Sequence, residues 1–338
     1  MKVFFGTVVR SAPVRRGGEL VRLDWKSKTV QARVPVFPTN PGLENDPNPR
    51  GNSRGCRGVE ILGDQIIASS YHTIKIYDME LRHRRDISHG LMVGLHETYS
   101  AGDGRIWVSS TAIDAALEYD LMGGNLVSDF WPRDSPKFQK CLGLTPLDID
   151  KRADQRSLFL GEEHTKHKAH LHLNAVARWR NQTLALFNTF GVIANLNSGE
   201  IVLQDPCLKG AHNLLIIDND IAVLNDTYGR TVRFYNLRSG ELVKVIDILR
   251  FKWVQSLEKI AKTQNFVKDI LKKLGVMHSA AAKPLFVRGL DLVGDFLFVG
   301  LSPASILCID WRKDELVDTY RYSVNVQVCV HGLRVLLE

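Results

Sequence analysis

One pattern recurs along this chain and limits what it can fold into. It consists of an apolar strand, a turn carrying Gly and Asp, and a second apolar strand ending in small polar residues. In its clearest copy Val59-Glu60-Ile61-Leu62 runs into Gly63-Asp64 and then into Gln65-Ile66-Ile67-Ala68-Ser69-Ser70. A Gly-Asp pair between apolar runs favours a tight hairpin. A third, alternating strand follows at Thr73–Asp78, and then a more polar fourth. The pattern returns at His96–Asp120, His172–Leu196, His212–Asn236 and Arg288–Trp311, which makes five copies of one unit.

The two ends supply a sixth. Lys2–Thr7 reads as a second strand, Glu19–Trp25 as a third and Thr29–Val36 as a fourth. The missing first strand is available at Asn325–Val330, followed by His331-Gly332 as its turn. Closing a ring with strands from both termini leaves no open sheet edge there. The expectation is therefore an all-β chain, one six-bladed β-propeller over residues 1–338, with the N- and C-terminal strands in a single blade. The competing architecture is a sandwich or two domains. A chain of 338 residues is within the range of single all-β domains.

Two insertions break the repeat, at residues 131–170 and 250–285. In the second, Phe251, Val254, Leu257, Ile260, Val267, Ile270, Leu271 and Leu274 recur mostly at three- and four-residue steps before Gly275, which predicts one amphipathic helix. The net charge of +7 is concentrated here, since residues 250–283 hold eight basic and two acidic side chains. A charge so local argues against nucleic acid. It points to a solvated helix face, to a lid, or to self-association or an acidic protein partner through residues 251–274.

Five scattered cysteines, Cys56, Cys141, Cys207, Cys308 and Cys329, form no C-x-x-C pair, which argues against a disulfide framework and favours a reducing cytoplasm. No apolar run is long enough for a bilayer, and Lys2–Arg10 reads as a strand rather than a signal segment. The loop Asn45–Arg50 reads as a connector, and His164–His172, with its interleaved lysines, as a loop entering a strand. The nucleophile elbow, the zinc-protease helix and the dinucleotide fingerprint are all missing from the sequence.

Val287-Arg288-Gly289-Leu290-Asp291-Leu292-Val293-Gly294-Asp295-Phe296-Leu297-Phe298-Val299-Gly300-Leu301-Ser302 resembles the signature of a bacterial family of unknown function whose members look like six-bladed propellers. His172-Leu173-Asn174 and His212-Asn213 fall where that family also places histidine and a polar neighbour. The resemblance runs from about Gly51 onward. The sequence departs from it at Ala211-His212-Asn213-Leu214, where the family pattern is Pro-His-Ser-Pro. The resemblance implies a fold and no reaction. More distantly the layout is similar to gluconolactonase-like and strictosidine-synthase-like propellers, without their acidic metal ligands at matching places.

Superposing the repeats brings scattered residues to the axis. The start of the innermost strand reads Arg57, His96, His172, His212, Arg288 and Asn325 around the ring, and the end of the second strand reads Thr7, Ser69-Ser70, Ser109-Ser110, Asn188, Asn225-Asp226 and Ser302. Buried polar groups need partners. Three readings stay open for the histidines. They can bond backbone carbonyls around a water-filled channel. They can flank an anion held by Arg57 and Arg288, whose guanidinium groups match carboxylate, sulfate or phosphate. Or His96, His172 and His212 can hold one divalent transition metal with an open position. The leading expectation is a small anionic ligand, a sugar acid or organic acid, oriented by Arg57 and Arg288. His96, His172 and His212 are then the acid/base candidates, with Asn174, Asn213, Asn225, Asp226 and Ser302 in support. The rival is a non-catalytic scaffold that uses the rim or the basic helix.

Overall fold

Strands whose apolar side chains face both ways must be covered on both faces, and a ring of stacked sheets does this. The structure, a computed structural model, describes residues 1–39, 55–156, 170–275 and 285–337. It contains six four-stranded antiparallel sheets. The first is built from β1 (Lys2–Val9), β2 (Glu19–Asp24), β3 (Thr29–Pro35) and the last strand of the chain, β24 (Val328–Leu336), in the order β24-β1-β2-β3. The second holds β4 (Gly58–Leu62) to β7 (His83–Ile87), the third β8 (Leu95–Gly102) to β11 (Leu126–Phe130), and the fourth β12 (Leu173–Trp179) to β15 (Glu200–Gln204). The fifth holds β16 (His212–Ile217) to β19 (Leu242–Asp247), and the sixth β20 (Leu290–Val293) to β23 (Glu315–Arg321). The chain is a six-bladed propeller closed by both termini.

The core is divided between the blades. Phe4, Leu20, Val59, Ile66 and Ala68 pack blade one on blade two. Ile67, Ile76, Leu95 and Val108 pack two on three. Corresponding clusters join every later pair, the last of them placing Phe298, Ile306 and Cys308 of blade six against Val3, Phe5 and Val21 of blade one. Outermost strands alternate half-buried and exposed positions, as in β3 and β11.

The closing strand sits differently from the expectation. β24 extends to Leu336, so His331-Gly332 lies inside the strand, Gly6 pairs with Gly332, and a bulge follows at Gly6/Thr7. Gly332 is required by crowding: a Cβ there would stand 2.6 Å from the Val59 nitrogen and 2.8 Å from the Arg57 oxygen. It marks the approach of two blades, not a turn.

The first insertion contributes a short helix, α1 (Pro136–Leu142), that the sequence did not announce. The second contributes α2 (Lys252–Lys273), as the spacing predicts. The inner half of α2 buries Val254 and Leu257 against blades five and six and Ala261 against Val326. Its outer half leaves Phe266, Val267 and Ile270 exposed, as is Leu274 just beyond it. Among the described residues no helix is long and apolar enough to cross a membrane. The connector Asn45–Arg50 and the histidines His164 and His167 lie outside the described residues.

Candidate functional site

The innermost strands of blades three, four and five each carry a register shift near the axis, at Leu95/Thr98, Leu173/Ala175 and His212/Leu215. A bulge re-aims side chains, so consecutive residues no longer need to face opposite ways. In blade five Asn213 takes a left-handed backbone (φ 61). Its amide donates to Glu97 Oε1 at 2.6 Å, joining blades five and three although blade four lies between them. Asn225 Nδ2 in turn donates to Asn213 Oδ1 at 2.8 Å.

Four imidazoles gather in the channel. The ring of His96 is 5.1 Å from that of His172, 6.2 Å from His212 and 5.6 Å from His331, and His212 is 5.9 Å from His331. His331 occupies the place expected for Asn325, because the closing strand runs further than the sequence reading assigned. One ring nitrogen from each of His96, His212 and His331 lies within 4.8 Å of the other two; His172 is not part of that set. His172 follows His170, whose Nδ1 is 3.0 Å from Asp114 Oδ2, and its own backbone N–H donates to Asp114 Oδ1 at 2.9 Å. Asp114 thus fixes the entry to blade four.

The three tautomers follow from the acceptors. His96 Nδ1 donates to the Gly94 carbonyl at 3.2 Å, and His331 Nδ1 to the Arg57 carbonyl at 2.9 Å. His212 Nδ1 donates to the Gly210 carbonyl at 3.0 Å and meets Thr227 Oγ1 at 2.9 Å. A carbonyl can only accept, so Nδ1 carries the hydrogen in each ring and the lone pair is at Nε2. The Nε2 atoms of His212 and His331 are buried and have no partner among the described residues. Burial, with the charges of Arg57 and Arg288 next in effect at His96 and His212 respectively, pushes these proton affinities well below the usual imidazole range. His331 is lowered by burial and by both arginines. The rings are neutral around pH 7 and are poorly matched to the proton-carrying role the sequence suggested.

Arg288 lies at the rim of this cluster, partly exposed. Its Nε is buried without a hydrogen-bond partner, and no described carboxylate forms an ion pair with it. Burial, followed by the charge of Arg10, lowers its proton affinity to about 10, and Arg57 adds to the effect. Arg10 and Arg288 both lie over the Phe286 ring, at 4.4 and 5.2 Å. Arg10 is a third cation that the repeat alignment did not place here.

The small polar residues have a different part from the one expected. Ser69 Oγ donates to the His96 carbonyl, Ser109 Oγ to the Asn174 carbonyl, Asn174 and Asn188 to the Ala211 carbonyl, and Asn225 to the Gly289 carbonyl. Each bond runs from one blade to the next, so these side chains join the ring together. Asp226 turns into its own blade, accepting from the Gly229 N–H and from Arg233 Nε. Thr7 likewise stays within blade one, accepting from the Glu19 N–H at 2.9 Å. Ser302 Oγ and the Oδ1 atoms of Asn174 and Asn225 are buried and have no hydrogen-bond partner among the described residues.

Three residues further along the chain from His331, Arg57 and Arg288 stand Arg334, Glu60 and Asp291. Arg334 grips Glu60 with two bonds of 2.9 and 3.0 Å and donates to the Leu290 carbonyl. Asp291 Oδ2 accepts from the Val335 N–H at 2.6 Å. Burial raises the Asp291 carboxyl to about 6 and that of Glu97 to about 7, against the opposing charge of Arg334. Glu97 is therefore the channel group whose proton affinity lies near neutrality.

No protein-family model matches the sequence, and comparison with curated proteins finds no relative. Among solved structures the chain is similar to a protein of unknown function from Bacteroides caccae, at a TM-score of 0.57 and 10% identity over 98% of this chain and 97% of that one. The Pan2 WD40 domain from Neurospora crassa aligns at a TM-score of 0.45 and 11% identity, over 94% of this chain and 78% of that one. The likeness to the Bacteroides caccae protein is one of fold alone.

Proposed function

We propose that the axial channel binds a small anion of the carboxylate, sulfate or phosphate class, a sugar acid or organic acid being the type that fits best. The observation that carries this reading is Arg288. A guanidinium that has lost part of its hydration, lacks a carboxylate among the described residues and is crowded by Arg10 and Arg57 is unfavourable unless negative charge joins it. An anion with two oxygens can accept from such a group in a bidentate manner. Ser302 Oγ, Asn174 Oδ1 and Asn225 Oδ1 are polar groups of the same ring that lack partners among the described residues. The likeness to a solved structure of unknown function is one of fold and leaves the ligand to this chemistry. If the bound anion reacts, Glu97 is better matched than the histidines to move a proton near neutral pH.

Calorimetric titration with inorganic phosphate, sulfate and citrate tests the reading. Binding by the unaltered chain that is at least tenfold weaker in Arg288→Gln supports it. Absence of binding to all three, or equal binding by the variant, contradicts it.

A second reading, a scaffold, is favoured by one observation. The outer half of α2 and the turn beyond it expose Phe266, Val267, Ile270 and Leu274 beside Lys268, Lys272 and Lys273. That combination fits an acidic partner with an apolar stripe. It uses side chains that are not among those of the anion site, and the two readings are compatible.

A further inference from the structure

We infer that His96, His212 and His331 form a site for one divalent transition-metal ion of the zinc type, bound through their Nε2 atoms. Three independent strands, β8, β16 and β24, bring one ring nitrogen each to within 4.8 Å of the others. Every Nδ1 hydrogen is committed to a main-chain carbonyl. This is the arrangement in which a histidine is oriented by an outer partner and offers Nε2 to a metal. Two of the three lone pairs are buried and receive no hydrogen from the described residues, a cost that ligation removes.

Tetrahedral zinc with bonds of about 2.0–2.1 Å places its ligand nitrogens roughly 3.4 Å apart, so small χ rotations of the three rings close the site. Three histidines leave one position open, and Arg288 and Arg57 stand beside it. Their charges oppose the cation when the channel holds only water. A chloride or hydroxide ion at the open position answers both charges, so a metal and two arginines can share one channel without the anion of the preceding proposal. The trio differs from the one the repeat alignment suggested, since His331 takes the place of His172.

The test uses the full chain, stripped with a chelator and titrated with Co2+ and Zn2+ in chloride buffer, so that no multivalent anion is needed. The expected result is about one ion per chain at micromolar metal, with visible Co2+ bands of the intensity typical of four-coordinate sites and displaced by Zn2+. His96→Gln and His331→Gln should each weaken binding at least 100-fold, while His83→Ala, an exposed histidine beside Asp86, should leave it unchanged. Should His331→Gln fail to fold, His96→Gln and the stoichiometry of the unaltered chain still decide the matter. Arg288→Gln should bind Co2+ at least as tightly as the unaltered chain, so the metal site stands or falls apart from the anion site. Less than a tenth of an ion per chain overturns the inference. So does stoichiometric binding that survives both axial substitutions, because the ion would then lie elsewhere, for instance on the histidines of 164–172.

Discussion

The imidazole of His331 donates to the main-chain carbonyl of Arg57 across 2.9 Å, although the two residues are 274 positions apart in the chain. This bond joins the closing strand of blade one to the innermost strand of blade two, with Gly332 providing the clearance. A chain ending at Tyr322 loses β24 and exposes the full edge of β1. It should be recovered as insoluble or unfolded protein, which circular dichroism and size-exclusion chromatography would reveal. A soluble monomer with an unchanged strand signal would show that closure is dispensable.

Residues of the ring divide into those that bond one blade to the next and those proposed to meet an anion. Ser109 Oγ accepts from the Glu97 N–H and donates to the Asn174 carbonyl, both while fully buried. Ser109→Ala should therefore cost about 1–3 kcal/mol of stability in denaturant titration and leave phosphate affinity within twofold. Arg288→Gln should behave in the opposite way, retaining or gaining stability while losing the anion.

How much of this could be read from the sequence depended on strand register. The hairpin turns at Gly63-Asp64 and Gly294-Asp295 and the apolar runs beside them were enough to count blades and to bring both termini together. Alternation also placed His96 and His212 at the axis. It failed for Glu97, which a strict period of two directs away from the channel and which the bulge at Leu95/Thr98 turns inward. It fails again for His331, because Gly332, which serves the contact between two blades, has the sequence signature of a turn. The serine and asparagine positions were located, but their purpose was hidden, since a hydroxyl aimed at the next blade's carbonyl has the same sequence signature as one aimed at a ligand.

The Asp291 carboxyl provides a test by pH. Its folded proton affinity, about 6, lies above the ordinary 3.8, chiefly through burial. The native state therefore holds this proton more tightly than the unfolded chain does. Stability falls as pH rises through the interval from about 4 to about 6, and the penalty is fully present above it. Asp291→Asn keeps an acceptor for the Val335 N–H and removes the titration. Its Tm should match that of the unaltered chain near pH 4 and exceed it progressively up to about pH 6.5. A Tm difference that stays constant with pH, or one favouring Asp at pH 7, would show that the carboxyl is not raised.

The helix divides at its midpoint. Leu257 is fully buried among Val254, Val287 and Leu307, so Leu257→Ala should cost about 2–5 kcal/mol. Phe266 is 66% exposed, and Phe266→Ser should shift stability by less than about 0.5 kcal/mol. Equal losses from the two substitutions, measured by urea unfolding, would mean that the outer half is packed against the propeller and is not available to a partner.

Anomalous diffraction can see an anion at Arg288 itself. Crystals of the full chain grown without multivalent anions and soaked in selenate would be measured at the selenium edge. The expected result is an anomalous peak within hydrogen-bonding distance of the Arg288 guanidinium and no such peak in Arg288→Gln crystals soaked in the same way. A channel that holds only water beside Arg288 at saturating selenate would contradict it.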